Sequence, residues 1–314
     1  MNKNIFLFLP MLLLILVSAC KDDVDPVEDP MTIVETAQAT ADLSFLVEAV
    51  VAADLVDALN SGTFTVFAPN NAAFQALLDS DPAWNGISDI PVDVLTSVLL
   101  YHVVEGEVKA ADLSDTYVNT LSTGPNMEPL SLQINVTGGV FFDGDAAPLS
   151  TDIQTSNGVV HVIDKVMMPN SLVDFALANP NFSILVQALT RPSFNGAYLG
   201  ALTGTNPLTV FAPTNAAFEA LLAIVPTWTT LDDIGDASLK GVLDYHVYAG
   251  GNVQSDQLTD GQVIPMLGSG DITIDLSNGV ALSTLGGQTV SVAIADVQSL
   301  NGVIHVVEQV LLPQ

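Results

Sequence analysis

The sequence predicts an α+β chain made of two tandem globular domains, and three observations predict it. The first is duplication. "TFTVFAPNNAAFQALL" (63–78) returns as "PLTVFAPTNAAFEALL" (207–222), and "NGVVHVIDKVMMP" (157–169) returns as "NGVIHVVEQVLLP" (301–313). Phe67 and Phe211, His102 and His246, and His161 and His305 each stand 144 residues apart. A period of that size is long enough for each copy to bury its own core and far too long for a solenoid. The second observation is an order of elements, helices first and strands later, that runs twice. The third is the later part of each copy, where apolar alternation and Gly-rich turns mark antiparallel strands.

Residues 1–19 contain one cation, Lys3, an apolar run from Ile5 to Val17, and then small residues. That is the layout of a secretory signal peptide, and the run is too short for a comfortable membrane span. The chain's only cysteine, Cys20, follows Val17-Ser18-Ala19. This resembles a bacterial lipobox and makes Cys20 the expected lipidation site, joined to the membrane through more than one acyl chain. No thiol then remains for a disulfide, a metal site or a nucleophile. Residues 20–30, "CKDDVDPVEDP", are acidic, carry two prolines and have no apolar period, so they read as an extended tether. Such a tether reaches at most about 35 Å. "CKDD" also resembles the acidic export signal of Bacteroidetes surface lipoproteins, which sets outer membrane or cell surface as the expected location.

The two domains are expected at 31–169 and 170–314, joined by "MMPNS" (167–171). Residues 43–53 and 182–189 are apolar at helical spacing. "FTVFAP" and "LTVFAP" read as short strands stopped by proline. Asn70-Asn71 and Thr214-Asn215 then offer an N-cap for "AAFQALL" and "AAFEALL", with either member of each pair suitable. "VDVLTSVLL" and "ASLKGVLD" read as helices running into "YHVVEGEV" and "YHVYAGGNV". "LSLQINV" and "ITIDLS" read as alternating strands. A final hairpin is expected to turn on Asn157-Gly158 and on Asn301-Gly302, a pair that tolerates positive φ. Upstream, the offset between copies falls to 139, so the second carries five extra residues in "RPSFNGAYLGALTGTNP", read as a loop or short helix.

Six basic residues against 35 acidic ones give a net charge of −29. Such a surface repels phosphate backbones, so no nucleic-acid partner is expected. Asp143-Gly144-Asp145 lacks the spaced acids and closing glutamate of a calcium loop, so no metal is expected there.

"TVFAPxNxAF", a tyrosine-histidine pair after a helix, and "NGVxHVxxxVxxP", in that order and twice, resemble the fasciclin domain. The resemblance covers nearly all of the chain after the tether. It implies a wedge of β-strands packed with several α-helices in each domain. It also implies secreted or surface-anchored proteins, often in tandem, that serve adhesion to cells or matrix and are not known as enzymes. In animal members the tyrosine-histidine pair and an Asp-Ile pair before the last strand have been implicated in receptor contact. Carried over, these fall on Tyr101, His102, Asp152 and Ile153, and on Tyr245, His246, Asp296 and Val297, where valine replaces the isoleucine. No Arg-Gly-Asp occurs here, and a structural role is the stronger expectation for these residues.

Strand alternation puts Val159, His161 and Ile163 on one face, and Val303, His305 and Val307 on the corresponding face. A histidine among β-branched neighbours is expected to be a structural residue whose nitrogens are satisfied locally. Metal binding lacks further ligands, nucleophilic catalysis lacks a GxSxG or a free thiol, and no cofactor is expected. The expected function is therefore a non-catalytic, membrane-anchored protein that binds polysaccharide, matrix or a cell-surface protein. The alternative is a carrier of a small hydrophobic ligand.

Overall fold

The computed structural model describes residues 30–268 and 270–313. The predicted leader, Cys20 and the rest of the tether to residue 29 lie outside the described residues.

In the first domain a capping box starts α1 (Ile33–Ala39): the Thr32 hydroxyl accepts from Glu35 N, and the Glu35 carboxylate accepts from Thr32 N. Then come α2 (Ser44–Ala52), α3 (Val56–Asn60), β1 (Phe64–Pro69), α4 (Asn71–Ser80) and α5 (Val92–Tyr101). Six strands complete the domain: β2 (Val103–Glu105), β3 (Thr116–Thr123), β4 (Pro129–Asn135), β5 (Phe141–Phe142), β6 (Pro148–Thr155) and β7 (Gly158–Ile163). The second domain opens with α6 (Leu172–Ala178), α7 (Ser183–Leu189) and α8 (Ala197–Leu202), the last the counterpart of α3, so the five extra residues lengthen the connections around it. β8 (Leu208–Pro213), α9 (Asn215–Ile224), α10 (Asp236–Asp244) and β9 (Val247–Tyr248) follow. The chain ends with β10 (Val263–Pro265), β11 (Asp271–Asp275), β12 (Ala281–Thr284), β13 (Thr289–Ser299) and β14 (Gly302–Val307).

The sheets run β5-β4-β3-β2-β1-β7-β6 and β10-β11-β12-β13-β14-β8-β9. The expectation of antiparallel strands needs one correction. At the centre of each domain the "TVFAP" strand lies parallel to the histidine strand, with Phe67 beside His161 and Phe211 beside His305. The rest of the ordering of the domain intervenes between these two strands, which is the long crossover that a parallel pair requires.

That central pair is buried on both faces and divides each domain into two cores. Val66, Ala68, Val160 and Val162 face the helices. Phe67 and Ile163 face the strand side with Tyr101, Leu132 and Phe142. The second domain repeats this, with Ile304 and Val306 toward the helices and Phe211 and Val307 toward the strands.

Of each polar pair after the proline, the first residue caps: Asn70 Oδ1 accepts from Ala73 N and Thr214 Oγ1 from Ala217 N. The second residue reaches backwards instead. Asn71 accepts from Phe45 N and donates to Ala41 O, while Asn215 accepts from Ile184 N and donates to Pro180 O. One side chain thus fixes the start of the preceding helix onto the next.

Asn157-Gly158 does not form the hairpin tip. Thr155 pairs with Gly158, so the tip is Ser156-Asn157, and in the second copy Ser299 pairs with Gly302. Gly158 (φ +147°) and Gly302 (φ +156°) are required by close approach. A Cβ would lie 1.9 Å from Phe64 O and 2.2 Å from Leu208 O. Asn157 ties three segments, accepting from Ile33 N (2.8 Å) and donating to Leu59 O and Gly62 O. Asn301 does the same for Leu172 N, Leu202 O and Gly204 O.

The expected alternation of β4 fails too: Leu130 to Ile134 are all buried. The reason is the second domain. Ser131 Oγ accepts from Gln298 N (3.0 Å), so the polar side of β4 is covered by β13. The joint at 167–171 leaves little slack, because Met167 is already in the first core and Ser171 caps α6.

Candidate functional site

Each histidine is held by two backbone groups. At the end of α5, His102 Nδ1 donates to Val98 O (2.7 Å) and Nε2 accepts from Met167 N (2.9 Å). His246 repeats this with Val242 O (2.7 Å) and Leu311 N (2.9 Å). In the central strand, His161 Nε2 donates to Val108 O (2.8 Å) and Nδ1 accepts from Asp152 N (3.3 Å). His305 repeats it with Val253 O (2.9 Å) and Asp296 N (3.3 Å). The two strand imidazoles also stack on Phe67 and Phe211.

A carbonyl can only accept and an amide N–H can only donate, so these partners dictate charge and tautomer. All four rings are neutral, with the proton on Nδ1 at 102 and 246 and on Nε2 at 161 and 305. Burial depresses His102 and His246 to about 4, against the opposing pull of their carbonyl partners. Burial also lowers His305, opposed by the Val253 carbonyl and Asp296. With both nitrogens of every ring engaged, none is placed to take a proton from a nucleophile. Among the described residues no group of three His, Cys, Asp or Glu side chains could hold a metal ion.

The remaining predicted contact residues are built into the same frame. Tyr101 donates to Ser131 O (2.8 Å) and Tyr245 to Asp271 O (2.7 Å), tying α5 and α10 to the strands. Tyr101, His102, Tyr245 and His246 are at most 3% exposed. Asp152 (φ +59°) and Asp296 (φ +62°) sit in the left-handed region where β6 and β13 bulge. Their carboxylates accept from Ala110 N (2.8 Å) and Ser255 N (2.7 Å). Each aspartate therefore closes a ring of contacts, with its amide on the histidine and its carboxylate on the loop whose carbonyl receives the histidine proton. Ile153 packs against the first helical core and Val297 lies inside the second. Asp152 alone of the eight is exposed, with Ile153 and Asp296 partly so.

The accessible polar chemistry lies elsewhere, along the seam between the domains. Tyr117 crosses it, its ring edge-on to Phe175 and its hydroxyl accepting from Asn179 Nδ2 (2.7 Å). Asn126 Nδ2 donates to Asn252 O across it. Behind them the Gln298 and Asn252 amides bond reciprocally (3.0 and 3.1 Å). Three clefts of about 370, 230 and 470 Å³ open along this seam. The third borders Asp143, whose carboxyl burial pushes up to about 7 and whose Oδ2 has no protein donor. The apolar hollows under the helices hold only about 30 Å³ each. None of the seam amides was singled out in the sequence. The available signal was divergence between the copies: Ser131 and Gln133 occupy the strand positions held by Asp271 and Thr273.

A fasciclin domain family model matches residues 41–169 and 180–313. The chain is 42% identical over 146 residues to protein sll1483 of Synechocystis sp., covering 45% of this chain and 76% of that protein. It is 27% identical over 256 residues to transforming growth factor-beta-induced protein ig-h3 of Sus scrofa, covering 80% of this chain but only 35% of that one. Immunogenic protein MPB70 of Mycobacterium bovis is 37% identical over 118 residues, which is 37% of this chain and 55% of that protein. Among solved structures, a FAS1 domain pair from the insect cell adhesion molecule fasciclin I matches with a TM-score of 0.51 at 19% identity. That match covers 86% of this chain and 97% of the other, and it speaks to the fold. With both copies matched, the chain belongs to the fasciclin domain family.

Proposed function

We propose that the chain is a non-catalytic adhesion protein of the cell envelope, held by acyl chains on Cys20 and binding polysaccharide, matrix or a cell-surface protein. The observation that carries this reading is the consumption of the family motifs by the fold. Every imidazole and both motif tyrosines are spent on backbone bonds, so the chemistry left to offer is that of surfaces and of the seam. The likeness to a domain pair from an adhesion molecule supports it. Tandem domains add avidity when both engage one target.

The test uses the soluble fragment Thr32–Gln314 on arrays of polysaccharides, matrix proteins and sibling cells. Binding that is retained in saline buffer is the expected result; failure on all three removes the reading. Protease shaving of intact cells separately tests surface display, with loss of the protein expected. Carriage of a small hydrophobic ligand finds less support, because hollows of about 30 Å³ fall far below the roughly 300–1,000 Å³ of ligand sites.

A further inference from the structure

We propose that the cleft of about 370 Å³ between β3–β4 of the first domain and the α6 end of the second is a binding site for a neutral saccharide unit. This deepens the adhesion reading and rests on it. Interdomain clefts of this size are where small polar ligands are commonly held.

The wall is built for such a ligand. Gln133, Asn135, Asn179 and Asn181 present amides, and Thr116 and Tyr117 add hydroxyls, all lining one hollow. Amides and hydroxyls both donate and accept, as a ring of sugar hydroxyls requires. Gln133 is the key residue. It is 5% exposed, and its Oε1 has no protein partner. A buried amide oxygen left unpaired carries its full desolvation cost, which a ligand hydroxyl relieves. No lysine or arginine lines the cleft, and the chain carries −29 charge, so an anionic sugar is disfavoured. Ile134, Pro180 and Ile294 supply the apolar part of the wall.

The internal repeat separates scaffold from site. Asp115 accepts from Val136 N, and Asp260 accepts from Leu276 N in the second copy, so Asp115 is a turn brace that both domains have. Tyr117 faces Gln133 across β3–β4, whereas the corresponding pair in β10–β11 is Val263 and Thr273. The amide set belongs to the seam and not to the domain plan.

The experiment titrates the full-length chain in detergent with neutral gluco-, manno- and galacto-hexasaccharides by calorimetry. Wild type is compared with Gln133→Ala and Asn181→Ala; Asn181 is exposed, so its loss spares the fold. Expected is saturable binding of at least one hexasaccharide, weakened about tenfold by each substitution, the scale of one lost hydrogen bond in a site. Equal binding by wild type and Asn181→Ala overturns the site while leaving polysaccharide adhesion standing. Binding to matrix protein or cells without any hexasaccharide binding also overturns the site alone. Failure of every target overturns both readings.

Discussion

The two domains are the same ring of seven strands opened at different places. In the first, β2 meets β3 at Val104 and Thr120, and β5 touches the next segment only through the Phe142–Ala146 bridge. In the second, β12 and β13 form a regular hairpin ladder, and the β9–β10 side stays open apart from Leu267 N on Val247 O. Inside, the copies agree: the same four bonds per histidine pair, the same glycine collision, the same asparagine tie. Outside, they part at the seam. Ser131 faces Gln298 across the domains, while its counterpart Asp271 is exposed, and Gln298 is buried where its counterpart Gln154 is not. An interior admits few substitutions without loss of stability, whereas a face needs only to suit what covers it. The comparison assigns the shared motifs to folding and leaves recognition to the divergent faces.

The most severe way to break the internal half of that comparison is at the paired glycines. Gly158→Ala or Gly302→Ala drives a Cβ into a backbone carbonyl, and a loss above about 4 kcal/mol is expected. Calorimetry should show the substituted domain unfolded or melting far earlier, and with equal severity in either copy.

Next comes acid. The folded-state pKa of about 4 at His102 and His246 lies below the ordinary 6.5, so the unfolded chain takes up protons first. Stability is fully present above pH 6.5 and is lost as pH falls toward 4, by about 3 kcal/mol per ring. His102→Asn should flatten this part of the pH profile in the first domain and leave the second unchanged. Asn301→Ala, which strips three bonds from a buried residue, should cost about 2–4 kcal/mol. Asn157→Ala should cost less, since Asn157 is only half-buried.

The seam half is sharpened by exchange. Ser131→Asp places a carboxylate against Gln298 with no cation near, and should cost about 1–3 kcal/mol and widen the particle in small-angle scattering. Asp271→Ser should stay within about 0.5 kcal/mol. A separate effect of pH is expected at Asp143, whose buried carboxyl borders the third cleft. Its raised pKa means stability that is present at low pH and lost as pH rises through about 7. Asp143→Asn should remove that loss, read as a melting temperature that gains on the wild type as pH climbs from about 4 to about 7.

The duplication and most helices were legible because period and caps are local signals. The parallel pairing of β1 with β7 was not, since nothing in either strand says which neighbour it will meet across ninety residues. Asn157-Gly158 misled for a different reason. The pair has the composition of a tight turn, but its glycine answers to Phe64 O and its asparagine to Ile33 N, both distant in sequence. Ser131 and Gln133 looked like the outward face of an alternating strand, and only the second domain makes them inward. Side-chain alternation reports burial within a domain, and a seam lies beyond its reach.

The most direct measurement is the nitrogen-15 spectrum of the four imidazoles across pH. The account predicts Nδ1–H at His102 and His246 and Nε2–H at His161 and His305, with His102 and His246 resisting protonation down to about 4. A mixed tautomer at any of the four, or protonation of His102 or His246 near 6.5, would mean a ring free to meet solvent, substrate or partner, and would contradict it.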